Sequence, residues 1–89
     1  MREPIEIMRK RLHMRSIRRG IKEMDLILSA FSAAHLARLD EEELELYDQL
    51  LSENDQDLYQ WVSGQTEAPE IYASLMGRIQ ENAVGLTKP

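Results

Sequence analysis

The sequence predicts an all-α fold, a compact bundle of five short helices, on three observations. Leu, Met, Ala, Glu, Gln and Arg dominate the chain of 89 residues, and these residue types favour helices. Only four Gly and three Pro interrupt it. Apolar residues recur at three- and four-residue spacing in five segments, which is the period of a buried helix face. We expect one domain over residues 1–89, ordered from about 4 to 82, with frayed ends.

The first two helices are predicted on either side of Gly20. Pro4 suits the first position of a helix, because the N–H that proline lacks would have no partner there. The first apolar stripe comprises Ile5, Met8 and Leu12, and its helix should run to about Arg18. The second helix should end near Arg38 and carry the stripe Ile21, Met24, Ile27, Leu28, Phe31 and Ala34.

The remaining three helices are marked by capping signals. Asp40 followed three residues later by Glu43 predicts a capping box at the start of the third helix. Asn54 or Asp55 can cap the fourth helix, and Gly64 can end it. The apolar positions predicted for the third to fifth helices are Leu44, Tyr47, Leu50, Leu51, Leu58, Trp61, Val62, Ile71, Tyr72, Leu75, Met76 and Ile79.

Composition argues against several classes of function. The absence of cysteine excludes disulfides, thiol catalysis and zinc held by cysteine. No apolar run approaches the roughly 20 residues of a membrane helix, so we expect no membrane insertion. His13 and His35 lie in different predicted helices, without a second histidine one turn away, and neither suggests a catalytic group or a metal ligand. The thin core of so short a chain leaves little room for a cofactor with its substrate. We therefore expect a protein that is not an enzyme and that acts through its surface.

Charge is divided unevenly along the chain. The net charge is −5, yet residues 1–22 hold eight Lys or Arg against two Glu. The basic side chains Arg11, Arg15, Arg18 and Lys22 would form one ridge if the helix continued past Gly20. This ridge could be a solvated face, a set of partners for the acidic helices, a docking surface or a nucleic-acid contact. The acidic remainder of the chain and the absence of interleaved aromatic residues argue against nucleic acid.

The segment 11–25 carries the most informative pattern. Its centre is Arg19-Gly20-x-x-Glu23, extended by Arg11-Leu12, Arg15-Ser16 and Met24-Asp25. A second stretch reads Asp55-x-Asp57-Leu58-x-x-Trp61-x-x-Gly64. Together these stretches resemble the signature of the succinate dehydrogenase FAD assembly factors, small five-helix proteins of bacteria and mitochondria. The resemblance covers about residues 9 to 82.

The resemblance implies a chaperone-like assembly factor that promotes covalent attachment of FAD to another protein. Its partner would be the flavoprotein subunit of succinate dehydrogenase, and that of fumarate reductase as a further candidate. FAD would belong to that subunit, joined to one of its histidines, because this chain lacks the Gly-rich dinucleotide motif needed to bind FAD tightly by itself. The residues implied to contact the partner are Arg19, Gly20, Glu23, Arg11, Arg15 and Asp25.

Two further interpretations remain open from the residues themselves. Gly20 could simply end a helix, and Glu23 could be an acid favoured by the helix dipole. The alternative function is a small helical regulatory protein that binds nucleic acid through its basic first helix. We also expect the protein to be a monomer. We expect it in the bacterial cytoplasm, because Glu3, Glu6 and the early position of the motif argue against a transit peptide.

Overall fold

A computed structural model describes residues 3–83, which form helices and turns and contain no strand. In chain order the elements are α1 (Ile5–Ser16), α2 (Lys22–His35), a 3₁₀ turn (Leu36–Arg38), α3 (Glu41–Leu51), α4 (Asp55–Ser63), a second 3₁₀ turn (Glu70–Tyr72) and α5 (Ala73–Ala83). The all-α prediction of five helices is confirmed. The frayed ends predicted for the chain fall mostly outside the described residues, and α5 continues to Ala83, one residue past the predicted limit.

The capping signals act where the sequence predicts them. Asp40 accepts a hydrogen bond from the Glu43 N–H at 2.8 Å, and the Glu43 carboxylate accepts one from the Asp40 N–H at 3.0 Å, so the capping box is complete. Of the two candidates for α4, Asn54 is the cap and accepts from the Gln56 N–H. Gly64 ends α4 with a φ of 82°, a left-handed conformation that glycine adopts without steric cost.

Two boundaries differ from the prediction. Helix α1 ends at Ser16 rather than near Arg18, because Arg18 takes a φ of 58° that cannot continue a right-handed helix. Ile71, predicted to be buried, is 56% exposed because it lies in the 3₁₀ turn before α5. Both differences occur where an irregular turn interrupts the helical period.

The core is built from the predicted apolar stripes. Helix α2 contacts α1, α4 and α5, while α1 also packs on α3. Most of the predicted apolar positions are buried, but Ala34 is exposed like Ile71, and three others are only partly buried and pack against the core from its edge: Ile21, Trp61 and Val62. Fully buried members include Leu12, Met24, Ile27, Phe31, Leu39, Leu44, Tyr47, Leu50, Leu58 and Ile79.

One polar group is satisfied inside this core. The Tyr47 hydroxyl lies 2.6 Å from the Ser16 hydroxyl, which itself donates to the Leu12 carbonyl at 2.7 Å. Since Ser16 has a single proton, Tyr47 must donate to Ser16. Burial raises the pKa of Tyr47 to about 12, because the charged phenolate would lose its hydration. The last turn of α1 is thereby tied to the middle of α3.

The described helices also bear on membranes and metals. No helix within residues 3–83 is long and apolar enough to cross a membrane. Over the same residues, no group of His, Asp and Glu side chains is arranged to hold a metal ion.

Candidate partner-binding site

The predicted motif occupies a short loop between α1 and α2, and an aspartate of α4 holds this loop in place. The motif loop comprises residues 17–21. Arg19 Nε donates to Asp55 Oδ1 at 2.8 Å, and the Gly20 N–H donates to Asp55 Oδ2 at 2.7 Å. The Arg19 guanidinium also donates to the carbonyls of Arg15 and Leu51, at 3.0 and 3.1 Å. One carboxylate at the start of α4 therefore binds two consecutive residues of the motif.

This arrangement leaves little of Arg19 available to a partner. Its side chain is 12% exposed, and that of Asp55 is 17% exposed. Arginine presents a rigid planar fork of donors, and here the fork is used within the chain. Arg19 thus joins the end of α1, the end of α3 and the start of α4.

Gly20 allows the close approach of Asp55. Its backbone does not have a positive φ, so left-handed geometry is not the reason for a glycine here. A Cβ atom added at Gly20 would instead lie 3.1 Å from Asp55 Oδ2, closer than such contacts normally are. The glycine therefore makes room for the carboxylate that its own N–H binds.

Arg18, rather than Arg19, points out of the motif loop. It is exposed, and its side chain has no hydrogen bond or ion pair within residues 3–83. Its positive φ is uncommon for a residue with a side chain and costs about 1–2 kcal/mol. Asp25 stabilises this conformation by accepting from the Arg18 N–H at 2.9 Å, while also accepting from the Ser29 hydroxyl at 3.1 Å. The fold holds Arg18 in a strained backbone conformation with a free guanidinium.

Glu23 is exposed in the first turn of α2, soon after the motif loop. Its carboxylate forms no hydrogen bond or ion pair with another described residue. No side chain caps α2, so the free backbone N–H groups of its first turn favour a negative charge at this position. Glu23, Lys22 and Arg18 together form an exposed charged patch, here called the outer motif surface.

Arg11 and Arg15 face α3 and share one acidic partner. Both form ion pairs with Asp48, and Arg11 also pairs with Glu3 at 2.9 Å. Hydrogen bonding from Arg11 is the main reason that the pKa of Asp48 is lowered. The side chains of Arg11 and Arg15 nevertheless remain 39% and 34% exposed. The continuous basic ridge does not form, because α1 ends early and these arginines are paired with the acidic helix.

The predicted site residues therefore differ in where the fold places them. Arg19, Gly20 and Asp25 shape the motif loop from within, whereas Glu23 faces solvent. Arg11 and Arg15 lie on the α3 side, where they pair with Asp48 and also remain partly exposed. Sequence reasoning missed Asp48, Asp55 and Arg18 as parts of this site. The sequence marked Arg18 only as one member of the basic ridge and Asp55 only as part of the second motif stretch, and the division into a basic first segment and acidic later helices was the signal for their pairing partners.

Comparison with known proteins places the chain among succinate dehydrogenase assembly proteins. A family model described as flavinator of succinate dehydrogenase matches residues 10–83, which include the motif loop and Asp55. A Saccharomyces cerevisiae relative, mitochondrial succinate dehydrogenase assembly factor 2, is 51% identical over 68% of this chain and 38% of its own length. A Drosophila yakuba relative, assembly factor 2-A, is 37% identical over 97% of this chain and 57% of its own. The Schizosaccharomyces japonicus factor is 44% identical over 78% and 48%, respectively.

These relatives also correct one prediction. The chain spans about two fifths of the length of the yeast relative, and the relatives are named as mitochondrial proteins of eukaryotes. The predicted bacterial cytoplasmic location is therefore wrong. It relied on the early position of the motif, but a chain that matches only part of its relatives supports no argument from where it begins. The predicted family is confirmed by the family model and by the relatives alike. This chain belongs to the family described as flavinator of succinate dehydrogenase.

Proposed function

We propose that this protein binds the flavoprotein subunit of succinate dehydrogenase and promotes covalent attachment of FAD to that subunit. The observation that carries the proposal is the family match over residues 10–83, together with relatives named as succinate dehydrogenase assembly factors. The geometry of the motif supports it, because the fold uses several internal hydrogen bonds to hold a small charged patch in one orientation. Such preorganisation lowers the entropy cost of binding a partner.

The contact with the flavoprotein is assigned to the outer motif surface. Glu23 and Arg18 are exposed and have no partner within the described chain, so a partner can satisfy both without breaking internal bonds. Arg19, Gly20 and Asp25 act indirectly, by fixing the loop that carries Arg18. The exposed edges of Arg11 and Arg15 contact the partner at the margin of this surface while they remain paired with Asp48.

The factor acts by binding rather than as the catalyst. Binding accelerates flavin attachment only if it favours the reactive arrangement of the flavoprotein and its FAD over other arrangements. Within the described residues, a histidine–hydroxyl pair is formed by His13 and Ser32, with Nδ1 and Oγ 2.6 Å apart. Ser32 is only 4% exposed, so its hydroxyl is inaccessible to a large substrate. We therefore assign the chemistry to the flavoprotein, with this chain as a monomeric accessory that does not hold FAD tightly by itself.

The nucleic-acid alternative has no support from the contacts. Phosphate binding uses cations that are not already paired within the protein, because they must neutralise phosphates and release the counterions bound there. Arg11, Arg15 and Arg19 instead form ion pairs with Asp48 and Asp55.

Calorimetric titration of the purified factor into the flavoprotein subunit tests the proposed contact. Arg18→Gly removes the free guanidinium and suits the positive φ, so the fold should be retained. We expect this variant to bind about 5- to 30-fold more weakly, as for the loss of an interface arginine worth about 1–2 kcal/mol. Lys10→Ala is the matched control, because Lys10 is also an exposed cation without a partner among residues 3–83 but lies on α1, outside the motif loop.

Three outcomes would contradict this account. Equal binding by Arg18→Gly and the wild type would exclude Arg18 from the contact. Failure of the wild type to bind the succinate dehydrogenase flavoprotein would overturn the proposal as a whole. A clear one-to-one isotherm with FAD alone would make the protein a flavin carrier instead. The same titration with the flavoprotein of fumarate reductase determines whether it is a second partner.

A further inference from the structure

A groove of about 570 Å³ opens at the far end of α4 from the motif loop. Its lining comes from the end of α4, the following loop and α5, and includes Trp61, Ala68, Met76 and Gln80. Trp61 is only partly buried, although tryptophan is the largest apolar side chain and contributes most by burial. The volume is within the range of sites that hold small ligands or short peptide segments.

Trp61 is held in place by contacts with Tyr72 and with α5. One side of its ring packs against the Tyr72 ring, with centroids 5.9 Å apart. The Gln80 side chain donates to the Trp61 carbonyl at 2.9 Å and so ties α5 to the end of α4. Tyr72 is itself buried, and its hydroxyl donates to Glu53 at 2.8 Å. The Trp61 ring therefore packs on a buried aromatic residue while part of its surface lines the groove.

The charge at this groove has one sign. Glu67 and Glu70 are exposed on its lining, and neither carboxylate forms a hydrogen bond or an ion pair with another described residue. No Lys, Arg or His is among the lining residues. The arginine of α5, Arg78, is paired with Glu43 instead. An occupant that carries a positive charge would complement this groove.

The chemistry of the lining specifies the kind of cation. An aromatic face attracts a cation through its quadrupole, most strongly in tryptophan, and nearby carboxylates add direct electrostatic attraction. A small hydrated metal ion would gain nothing from Trp61, Ala68 and Met76. A guanidinium or ammonium on an alkyl stem would use both parts, because the stem packs on apolar surface while the head meets the carboxylates. The groove is also larger than one side chain, which leaves room for flanking backbone.

We propose that this groove binds an arginine or lysine side chain in an extended segment of a partner protein. The site is separate from the outer motif surface, and it does not depend on the flavoprotein being the partner. Trp61 stacks on the cation, and Glu67 and Glu70 pair with it.

Fluorescence titration offers a direct test, because Trp61 is the sole tryptophan of the chain. The probe is a blocked pentapeptide with one central arginine between alanines, and its control carries citrulline, a neutral analogue of nearly the same shape. We expect saturable change in Trp61 emission with the arginine peptide and about ten-fold weaker binding of the citrulline peptide. Equal binding of the two peptides, or no binding of either one, would overturn the proposal.

Charge-neutral variants distinguish binding in the groove from attraction by the net negative charge of the protein. Glu67→Gln with Glu70→Gln should weaken binding of the arginine peptide about ten-fold, and should reduce its dependence on salt. Glu45→Gln removes an exposed carboxylate of α3 away from this groove and should leave the affinity unchanged. If the Glu45 variant lost as much affinity as the double variant, the attraction would come from net charge and no site would exist here. Both Glu67 and Glu70 are exposed, so the folded structure should tolerate their replacement.

Discussion

Replacement of Asp55 by asparagine should destabilise the whole bundle, although Asp55 lies at its surface. The change removes the charge that pairs with Arg19 and leaves one oxygen to serve both Arg19 and the Gly20 N–H. Hydrogen bonds to charged groups contribute about 1.5–3 kcal/mol, and loss of one member of a buried pair costs about 3–5 kcal/mol. Arg19 keeps two carbonyl partners and 12% exposure, so we expect a loss of about 2–3 kcal/mol, within the first range and below most of the second.

Thermal unfolding monitored by circular dichroism measures this loss. For a domain of this size, each kcal/mol shifts Tm by about 4–8 °C, so a fall of about 10–20 °C is expected for Asp55→Asn. The matched control is Asp57→Asn, which removes an exposed carboxylate from the same first turn of α4 and should cost no more than about 0.5 kcal/mol. If Asp55→Asn unfolded at the temperature of the wild type or of the Asp57 variant, the bonds from Arg19 and Gly20 to Asp55 would contribute nothing to the stability of the fold.

Three further outcomes follow from the same structure. Phe31→Ala should cost about 3–5 kcal/mol in a urea unfolding experiment, because Phe31 is fully buried; unchanged stability would show that its helix stripe is misassigned. Gly20→Ala should lower stability by about 1 kcal/mol, because the added Cβ crowds Asp55, and Asp55→Gly in the same chain should remove that effect. Stability should fall as pH rises from about 10 to 12, because Tyr47 ionises near 10 when unfolded but at about 12 when folded; Tyr47→Phe should flatten this part of the profile.

Helix limits were predictable wherever the signal is local. The Asp40–Glu43 capping box and the left-handed Gly64 need only their own neighbours, and both occur as predicted. The prediction was wrong for the end of α1 at Ser16 and for the burial of Ile71, because an irregular turn interrupts the helical period at both places. Arg18 adopts a positive φ because Asp25 accepts its N–H and because Asp55 fixes the next two residues.

The direction of each arginine could not be read from the motif. Arg18 and Arg19 are adjacent and chemically identical, yet one faces solvent and the other joins three helices. That difference depends on Asp55, 36 residues further along the chain. Charge segregation predicted that some arginines would pair internally, but not which ones. Similarly, periodicity placed Trp61 on the apolar face of α4 without indicating that the loop beyond Gly64 leaves it half uncovered.

Covalent flavin content of the succinate dehydrogenase flavoprotein tests the central claim most directly. In-gel fluorescence of the denatured subunit reports only attached flavin, and it can be compared in cells that carry the wild type, Glu23→Ala or the control Glu45→Ala. The Glu23 carboxylate forms no hydrogen bond or ion pair within the described chain, so its removal should lower the stability of the fold by at most about 1 kcal/mol. We predict reduced flavin attachment with a folded Glu23→Ala protein and normal attachment with Glu45→Ala. Normal attachment with folded Glu23→Ala would contradict the assignment of the outer motif surface as the working site.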